Sequence, residues 1–175
     1  PENIIASNQG YKVKNFNEAK KTLEKKLLKS VNSQMISDVP LGSFLSGGID
    51  SSLITSLMSK ISSNKLQTFT IGFHENKFDE SIYAKKIANE LKTDHNEIIL
   101  TTKETQSIIP NISKVYDEPF ADSSQIPTLL LSEFVKNKVK VALSGDGGDE
   151  LFGGYNRYFW VNKIWNYFSW LPFPV

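Results

Sequence analysis

At 175 residues, with 39% hydrophobic and 22% charged residues, the chain has the size and composition of one folded domain with a sizeable core rather than of a disordered segment. Lys and Arg number 20 against 19 Asp and Glu, and a formal net charge of +1 excludes bulk electrostatic attraction to nucleic acid or an anionic membrane. Without cysteine there are no disulfides, thiolate metal sites or cysteine nucleophiles; no apolar run is long enough to span a membrane and no signal peptide is visible, so the cytoplasm is the expected location.

Residues 1–16 are polar, punctuated by Asn and Gly, and read as a linker or ragged edge ahead of a domain over 17–175. The start at Pro1 and the stop at Pro172-Phe173-Pro174-Val175 read as cuts through a longer domain. From Glu18, the apolar positions Ala19, Leu23, Leu27, Val31 and Met35 predict an amphipathic helix to about Ile36, with Lys20, Lys21, Lys25, Lys26 and Lys29 as its solvated face. Pro40 then resets the chain before an apolar strand that runs into Ser46-Gly47-Gly48-Ile49-Asp50-Ser51-Ser52, followed by the helical pattern Leu53, Ile54, Leu57, Met58, Ile61. Strand, tight glycine turn and helix N-terminus together make an anion site, because the glycines bring backbone N–H groups close to a ligand and the helix start adds unpaired donors. The loop has no lysine and no Gly-Lys-Ser/Thr ending, so a polyphosphate here requires a metal ion, and Asp50 is its obvious ligand, with Mg²⁺ as the ion.

Leu66–Phe73 is a buried-strand run, and a second strand after a helix implies a βαβ unit and a parallel sheet with helices on both faces. Ligands of such sheets sit at the carboxyl ends of the strands, so Ile71, Gly72 and Phe73 either line an adenine site or are simply core. Phe78-Asp79-Glu80-Ser81 opens a helix with the stripe Ile82, Ala84, Ile87, Ala88 and Leu91, capped by Asp79. Asp94–Leu100 is a third strand; His74 and His95 lack companions at metal spacing and read as structural. Residues 101–116 form a helix interrupted at Pro110. Beyond it, Tyr116–Ser124 places Asp117, Glu118 and Asp122 ahead of Ser123 and Ser124, either at the edge of a site or as a capped turn before the helix of Ile126, Leu129, Leu130 and Phe134.

Val139–Leu143 is the fourth strand, and it delivers a second glycine-rich loop, Ser144-Gly145-Asp146-Gly147-Gly148-Asp149-Glu150, entering a helix at Glu150. By itself this is an acidic calcium-like loop or a turn, although neither the EF-hand pattern nor Gly-x-Gly-x-x-Gly is complete. Loops at the carboxyl ends of neighbouring parallel strands face each other, which lets Asp149 share one Mg²⁺ with Asp50. From Tyr155 the chain turns aromatic, with all three Trp inside eleven residues, and reads as a packing helix rather than a membrane segment because Asn162, Lys163 and Asn166 interrupt it.

Ser46–Ser52 resembles the pyrophosphate loop of the ATP pyrophosphatases, which split ATP into AMP and pyrophosphate. The flank Ser37-Asp38-Val39-Pro40-Leu41-Gly42, the segment Asp117-Glu118-Pro119 to Ser124, and Leu143–Tyr155 resemble the synthetase domain of glutamine-hydrolysing asparagine synthetases, over about Leu23 to Tyr158. The resemblance implies a Rossmann-like adenine nucleotide alpha hydrolase fold and the AMP-forming amidation of aspartate through a β-aspartyl-adenylate. It implies that Ser46, Gly47, Gly48, Asp50 and Ser51 grip the pyrophosphate, that Asp50 and Asp149 hold Mg²⁺, and that Leu45, Ile71, Gly72, Ser144 and Gly145 hold the adenosine of ATP. Asp146 stands where some family members carry a Glu with a proton-transfer role, one methylene longer. The acceptor pocket is not legible, so a sugar acid or a β-amino acid remains an alternative acceptor, and a non-catalytic ATP-binding module an alternative class. The family's glutaminase domain, with its N-terminal cysteine, is not in this chain, and Lys163, the only lysine after Asp149, matches no phosphate-facing motif. The chain alone is therefore expected to bind MgATP weakly and to form negligible adenylate; homo-oligomerisation stays open.

Overall fold

An asparagine starts the first helix. Asn15 is extended, at φ −155°, and its side chain accepts the Glu18 N–H at 2.9 Å, capping α1 (Phe16–Gln34). The helix thus begins and ends two residues before the predicted Glu18 and Ile36, because the cap and not the apolar stripe sets its start. The computed structural model describes residues 15–74, 79–118, 122 and 124–168.

From there the chain forms β1 (Leu41–Phe44), α2 (Ile49–Ile61), β2 (Gln67–Phe73), α3 (Ser81–Glu90) and β3 (Asp94–Leu100). Three short pieces follow: α4 (Thr102–Ser107), a 3₁₀ turn over Ile109–Asn111 that takes up Pro110, and α5 (Ile112–Val115). The remaining elements are α6 (Gln125–Val135), β4 (Val141–Leu143), α7 (Gly148–Phe152) and α8 (Asn156–Phe168).

The sheet has four strands in the order β3-β2-β1-β4, every pair parallel. Partners in register share a face, so Ser43 and Thr68 point one way and Phe44 and Phe69 the other. The first face is covered by α1, α2 and α3: Val31, Leu57, Met58 and Leu66 form one buried cluster there, and Leu45, Ala84 and Ala88 a second. The opposite face packs Phe69 against Leu131 and Val135 of α6, with Phe44 and Ile71 alongside. This is the predicted α/β architecture, with helices on both faces of a parallel sheet.

Hydroxyls replace apolar groups where α2 and α3 approach the sheet. Ser43 Oγ lies 2.9 Å from Thr55 Oγ1, which donates to the Ser51 carbonyl at 2.7 Å, and Thr68 Oγ1 lies 2.8 Å from Thr93 Oγ1 and 3.1 Å from His95 Nδ1. Such small side chains satisfy one another and let the helices pack close. β4 is shorter than the apolar run predicts, because Val139 leaves the ladder for the core beside Val135 while the Lys140 N–H donates to the Pro40 carbonyl. In α8, Phe159, Trp160, Trp165 and Tyr167 are exposed. Among the described residues no helix is long and apolar enough to cross a membrane.

Candidate active site

Because β2 lies on one side of β1 and β4 on the other, the order in which strands are added reverses at β1/β4, and the carboxyl ends of these two parallel strands open a crevice. Both glycine loops sit there. The first leaves β1 through Leu45, whose N–H donates to the Phe69 carbonyl at 2.9 Å and whose carbonyl accepts the Thr70 hydroxyl. Gly47 turns the chain at φ +87°, and Gly48 begins α2 without a side-chain cap. A helix start leaves its first N–H groups, those of Ile49, Asp50 and Ser51, without helical partners. Two hydroxyls brace the turn: Ser46 Oγ lies 2.9 Å from Ser51 Oγ and accepts the Gly48 N–H at 3.2 Å, while Ser51 Oγ also accepts the Ser46 N–H at 3.2 Å. Buried Ser51 and exposed Ser46 therefore set hydroxyls beside a helix N-terminus that has no side-chain cap, an arrangement suited to phosphate oxygens.

The second loop leaves β4 and folds on the first. A Cβ on Gly145 would stand 2.5 Å from the Ser51 nitrogen, and one on Gly148 would stand 2.5–2.9 Å from the three carboxylate atoms of Asp50. Glycine at both places is what lets the second loop lie directly on the start of α2. Within the loop, Ser144 Oγ donates to Asp146 Oδ2 at 2.9 Å, which holds the exposed Asp146 carboxylate back on its own strand end. Gly147, in the left-handed region, starts α7 at Gly148, ahead of the predicted Glu150, and puts Asp149 and Glu150 in a first helical turn. There the helix dipole favours carboxylates.

Asp50, Leu53 and Ile54 of α2, with Ser144–Gly148 and Leu27 and Val31 of α1, line a cavity of about 200 Å³. Among the described residues no group of three or more His, Asp or Glu side chains is placed to hold a metal ion. Two carboxylates are nonetheless a sufficient protein share for Mg²⁺ when phosphate oxygens and water complete the shell. The Asp50 carboxylate fills the space left by the missing Cβ of Gly148, which fits it to that use; the Asp149 carboxylate lies against Gly154, at the other end of α7.

The residues predicted to hold adenosine are less open. Leu45 is 1% exposed and belongs to the core, so it offers no side-chain surface. Gly72 is buried, and a Cβ there would meet Ile99 Cδ1 at 2.5 Å and Asp79 Oδ1 at 2.9 Å, while Ile71 packs toward α6. Asp79 accepts the Ser81 N–H at 3.1 Å as the predicted cap does, one residue before the helix boundary at Glu80, and hydrogen bonds from Ser81 hold its carboxyl below the usual range. Asp122 accepts the Ser124 N–H at 2.8 Å, the capped-turn geometry, and that bond lowers its pKa; Phe78, Pro119, Phe120, Ala121, Ser123 and Trp170 lie outside the described residues. His95 is partly buried: burial pushes its pKa down and its Nδ1 meets Thr68.

A group missed by sequence reasoning lies just beyond the second loop. The Tyr155 hydroxyl donates to Glu150 Oε1 at 2.6 Å, which depresses the Glu150 carboxyl and pushes the phenol up to about 12. Arg157, the single arginine of the chain, sits 4.1 Å from the centre of the Tyr155 ring. The signal was available, since a lone arginine three residues after the Gly153-Gly154 turn interrupts an otherwise aromatic segment.

Residues 22–175 match the family model described as asparagine synthase. The chain is 47% identical over 140 residues to a putative glutamine-hydrolysing asparagine synthetase 2 of Methanocaldococcus jannaschii, covering 78% of this chain and 27% of that protein. It is 45% identical over 129 residues to asparagine synthetase 1 of Bacillus subtilis, covering 74% of this chain and 20% of that one. The chain thus spans about a quarter of the length of these relatives. Among solved structures, an NH3-dependent NAD synthetase from Campylobacter jejuni shares the fold at TM-score 0.53 and 19% identity, over 78% of this chain and 60% of that one. An NMN synthetase from Francisella tularensis shares it at TM-score 0.54 and 18% identity, over 77% and 58% respectively.

Proposed function

The chain belongs to the asparagine synthase family, and from that premise we propose that its two-loop crevice is the ATP site of a synthetase that amidates aspartate. In the proposed reaction an aspartate carboxylate oxygen attacks the α-phosphorus of ATP, the bond to the pyrophosphate breaks, and ammonia then displaces AMP from the acyl-adenylate. The ammonia comes from a glutaminase domain of the longer protein. The chain's own part is positioning and charge stabilisation. The Ile49, Asp50 and Ser51 N–H groups, with the Ser46 and Ser51 hydroxyls, receive the leaving pyrophosphate, and Gly47 and Gly48 shape the turn that aims them. Asp50 and Asp149 would hold Mg²⁺, which when bound neutralises phosphate charge. The backbone of Leu45, Ile71, Gly72, Ser144 and Gly145 flanks the adenosine, and Asp146, fixed by Ser144, takes a proton from the attacking ammonia.

The observation that supports this reading most is the packing of the second loop on the first, with Gly145 against Ser51 and Gly148 against Asp50. It puts the Asp50 carboxylate and the helix N-terminus in one crevice at a topological switch point, with Asp149 next in the chain to Gly148. Calorimetric titration with ATP, with and without Mg²⁺, tests it. Binding should depend on Mg²⁺ and favour ATP over GTP, and Asp50→Asn should weaken it by about tenfold or more with the melting temperature little changed. Equal binding by wild type and Asp50→Asn sinks the site assignment. Pyrophosphate release by the full-length enzyme across a panel of carboxylates tests the acceptor: response to a sugar acid or a β-amino acid, and not to aspartate, moves the chemistry to another substrate.

A further inference from the structure

We propose that Tyr155 is a positioning residue that acts through Glu150 to hold the metal carboxylate Asp149 in place. The inference rests on the reading of Asp149 as a metal ligand. α7, which carries Asp149, has five residues and buries none of them, and Leu151 and Phe152 are 79% and 52% exposed. A single turn of helix is not stable by itself, and this one lacks the apolar face that usually fixes a helix to its domain. Its orientation therefore rests on polar and backbone ties at its two ends.

At the N-terminal end the ties are the contact of Gly148 with Asp50 and the Gly148 N–H donating to the Gly145 carbonyl at 3.2 Å. At the other end, Gly153 turns the chain at φ +68° and the Gly154 N–H donates to the Asp149 carbonyl at 3.0 Å. That hydrogen bond fixes the backbone of Asp149, and the Asp149 carboxylate lies against Gly154. The Tyr155 hydroxyl on Glu150 adds a further tie, because it joins the residue after the turn to the residue after Asp149. Tyr155 is itself held: the Arg157 guanidinium stacks 4.1 Å from its ring centre, and the Tyr158 ring lies 5.9 Å away, both on the first turn of α8. A line of contacts thus runs from α8 through Tyr155 and Glu150 to Asp149.

The test uses Tyr155→Phe, which keeps the ring under Arg157 and deletes only the donor, together with Glu150→Ala and Glu150→Gln. The readout is the Mg²⁺ concentration that gives half-maximal ATP binding, followed by calorimetry beside a thermal melt. Tyr155→Phe and Glu150→Ala should each raise that concentration by on the order of fivefold, leaving ATP binding without metal and the melting temperature nearly unchanged. The double variant should be no worse than either single one, and Glu150→Gln, which still accepts the hydroxyl, should recover most of the loss. An unchanged Mg²⁺ requirement in Tyr155→Phe overturns the positioning role while wild-type Mg²⁺ dependence keeps the site reading. Additive losses in the double variant overturn it as well. Wild-type ATP binding with no Mg²⁺ dependence overturns both readings.

Discussion

Gly47 and Gly147 adopt the same left-handed backbone, φ +87°, each in the loop that follows one of two neighbouring parallel strands, and their surroundings are opposite. A Cβ on Gly47 would stand 2.8 Å from the Ala84 nitrogen and from Tyr83 Cβ, whereas one on Gly147 would meet nothing within 4 Å. The first loop is walled by α3, braced by Ser46 and Ser51, and rooted in the buried hydroxyls of Ser43 and Thr55. The second loop has an exposed Asp146 and runs into a helix that buries nothing. One half of the crevice is an extension of the core and holds its shape by packing. The other half takes its place by lying on the first, so what it presents depends on a few contacts of glycine with backbone.

The largest effect should come from breaking the contact between the halves. Gly145→Ala drives a Cβ into the Ser51 nitrogen and the Asp50 carbonyl carbon, backbone atoms that have no room to give, and should cost about 3 kcal/mol with loss of ATP binding. Denaturant unfolding and calorimetry on one preparation measure both, and near-normal ATP affinity would mean that the loops do not act as a unit. Next in size is the paired comparison itself. Gly47→Ala meets strain and steric clash and should lose about 2–3 kcal/mol, while Gly147→Ala meets backbone strain alone and should lose about 1 kcal/mol. Equal losses in urea melts would refute the contrast.

Thr55→Val removes a buried donor while keeping shape. It should cost about 1–2 kcal/mol with ATP affinity little changed, because Ser43 loses its hydroxyl partner below the first loop while the loop's own braces remain. A loss of ATP binding larger than the loss of stability would place Thr55 in the site instead. The smallest effect lies at the far end of the sheet. Burial lowers the His95 pKa, opposed by the charge of Glu97 and assisted by that of Lys85, so the unfolded chain takes up the proton first as pH falls. Stability from this group is present above the ordinary histidine value of about 6.5 and is lost as pH drops below it. The melting temperature of wild type should fall slightly more between pH 7 and pH 5 than that of His95→Gln, with ATP affinity equal in the two at pH 7.

How much of this was legible in the sequence follows from which interactions are local. Ser46–Ser52 and Ser144–Glu150 announce their loops because glycine is needed where φ turns positive; the run Leu66–Phe73 announces a strand because both its faces are covered, and Asp94–Leu100 announces one by its closing Ile98-Ile99-Leu100. Boundaries were read less well wherever a single bond moved them: Asn15 starts α1 ahead of its apolar stripe, and Gly147 starts α7 ahead of Glu150.

By itself the sequence determined the element order, the parallel α/β class and the two glycine loops with their acidic residues, since each depends on neighbours within a few positions along the chain. Only the tertiary structure decided that β4 pairs with β1 rather than with β3, because strand pairing is settled by which apolar faces bury together across a hundred residues. That pairing brings Gly145 to Ser51 and Gly148 to Asp50. Likewise only the folded chain shows Gly72 enclosed by Ile99 and Asp79, and Tyr155 reaching back to Glu150, for both depend on where one segment comes to rest against another.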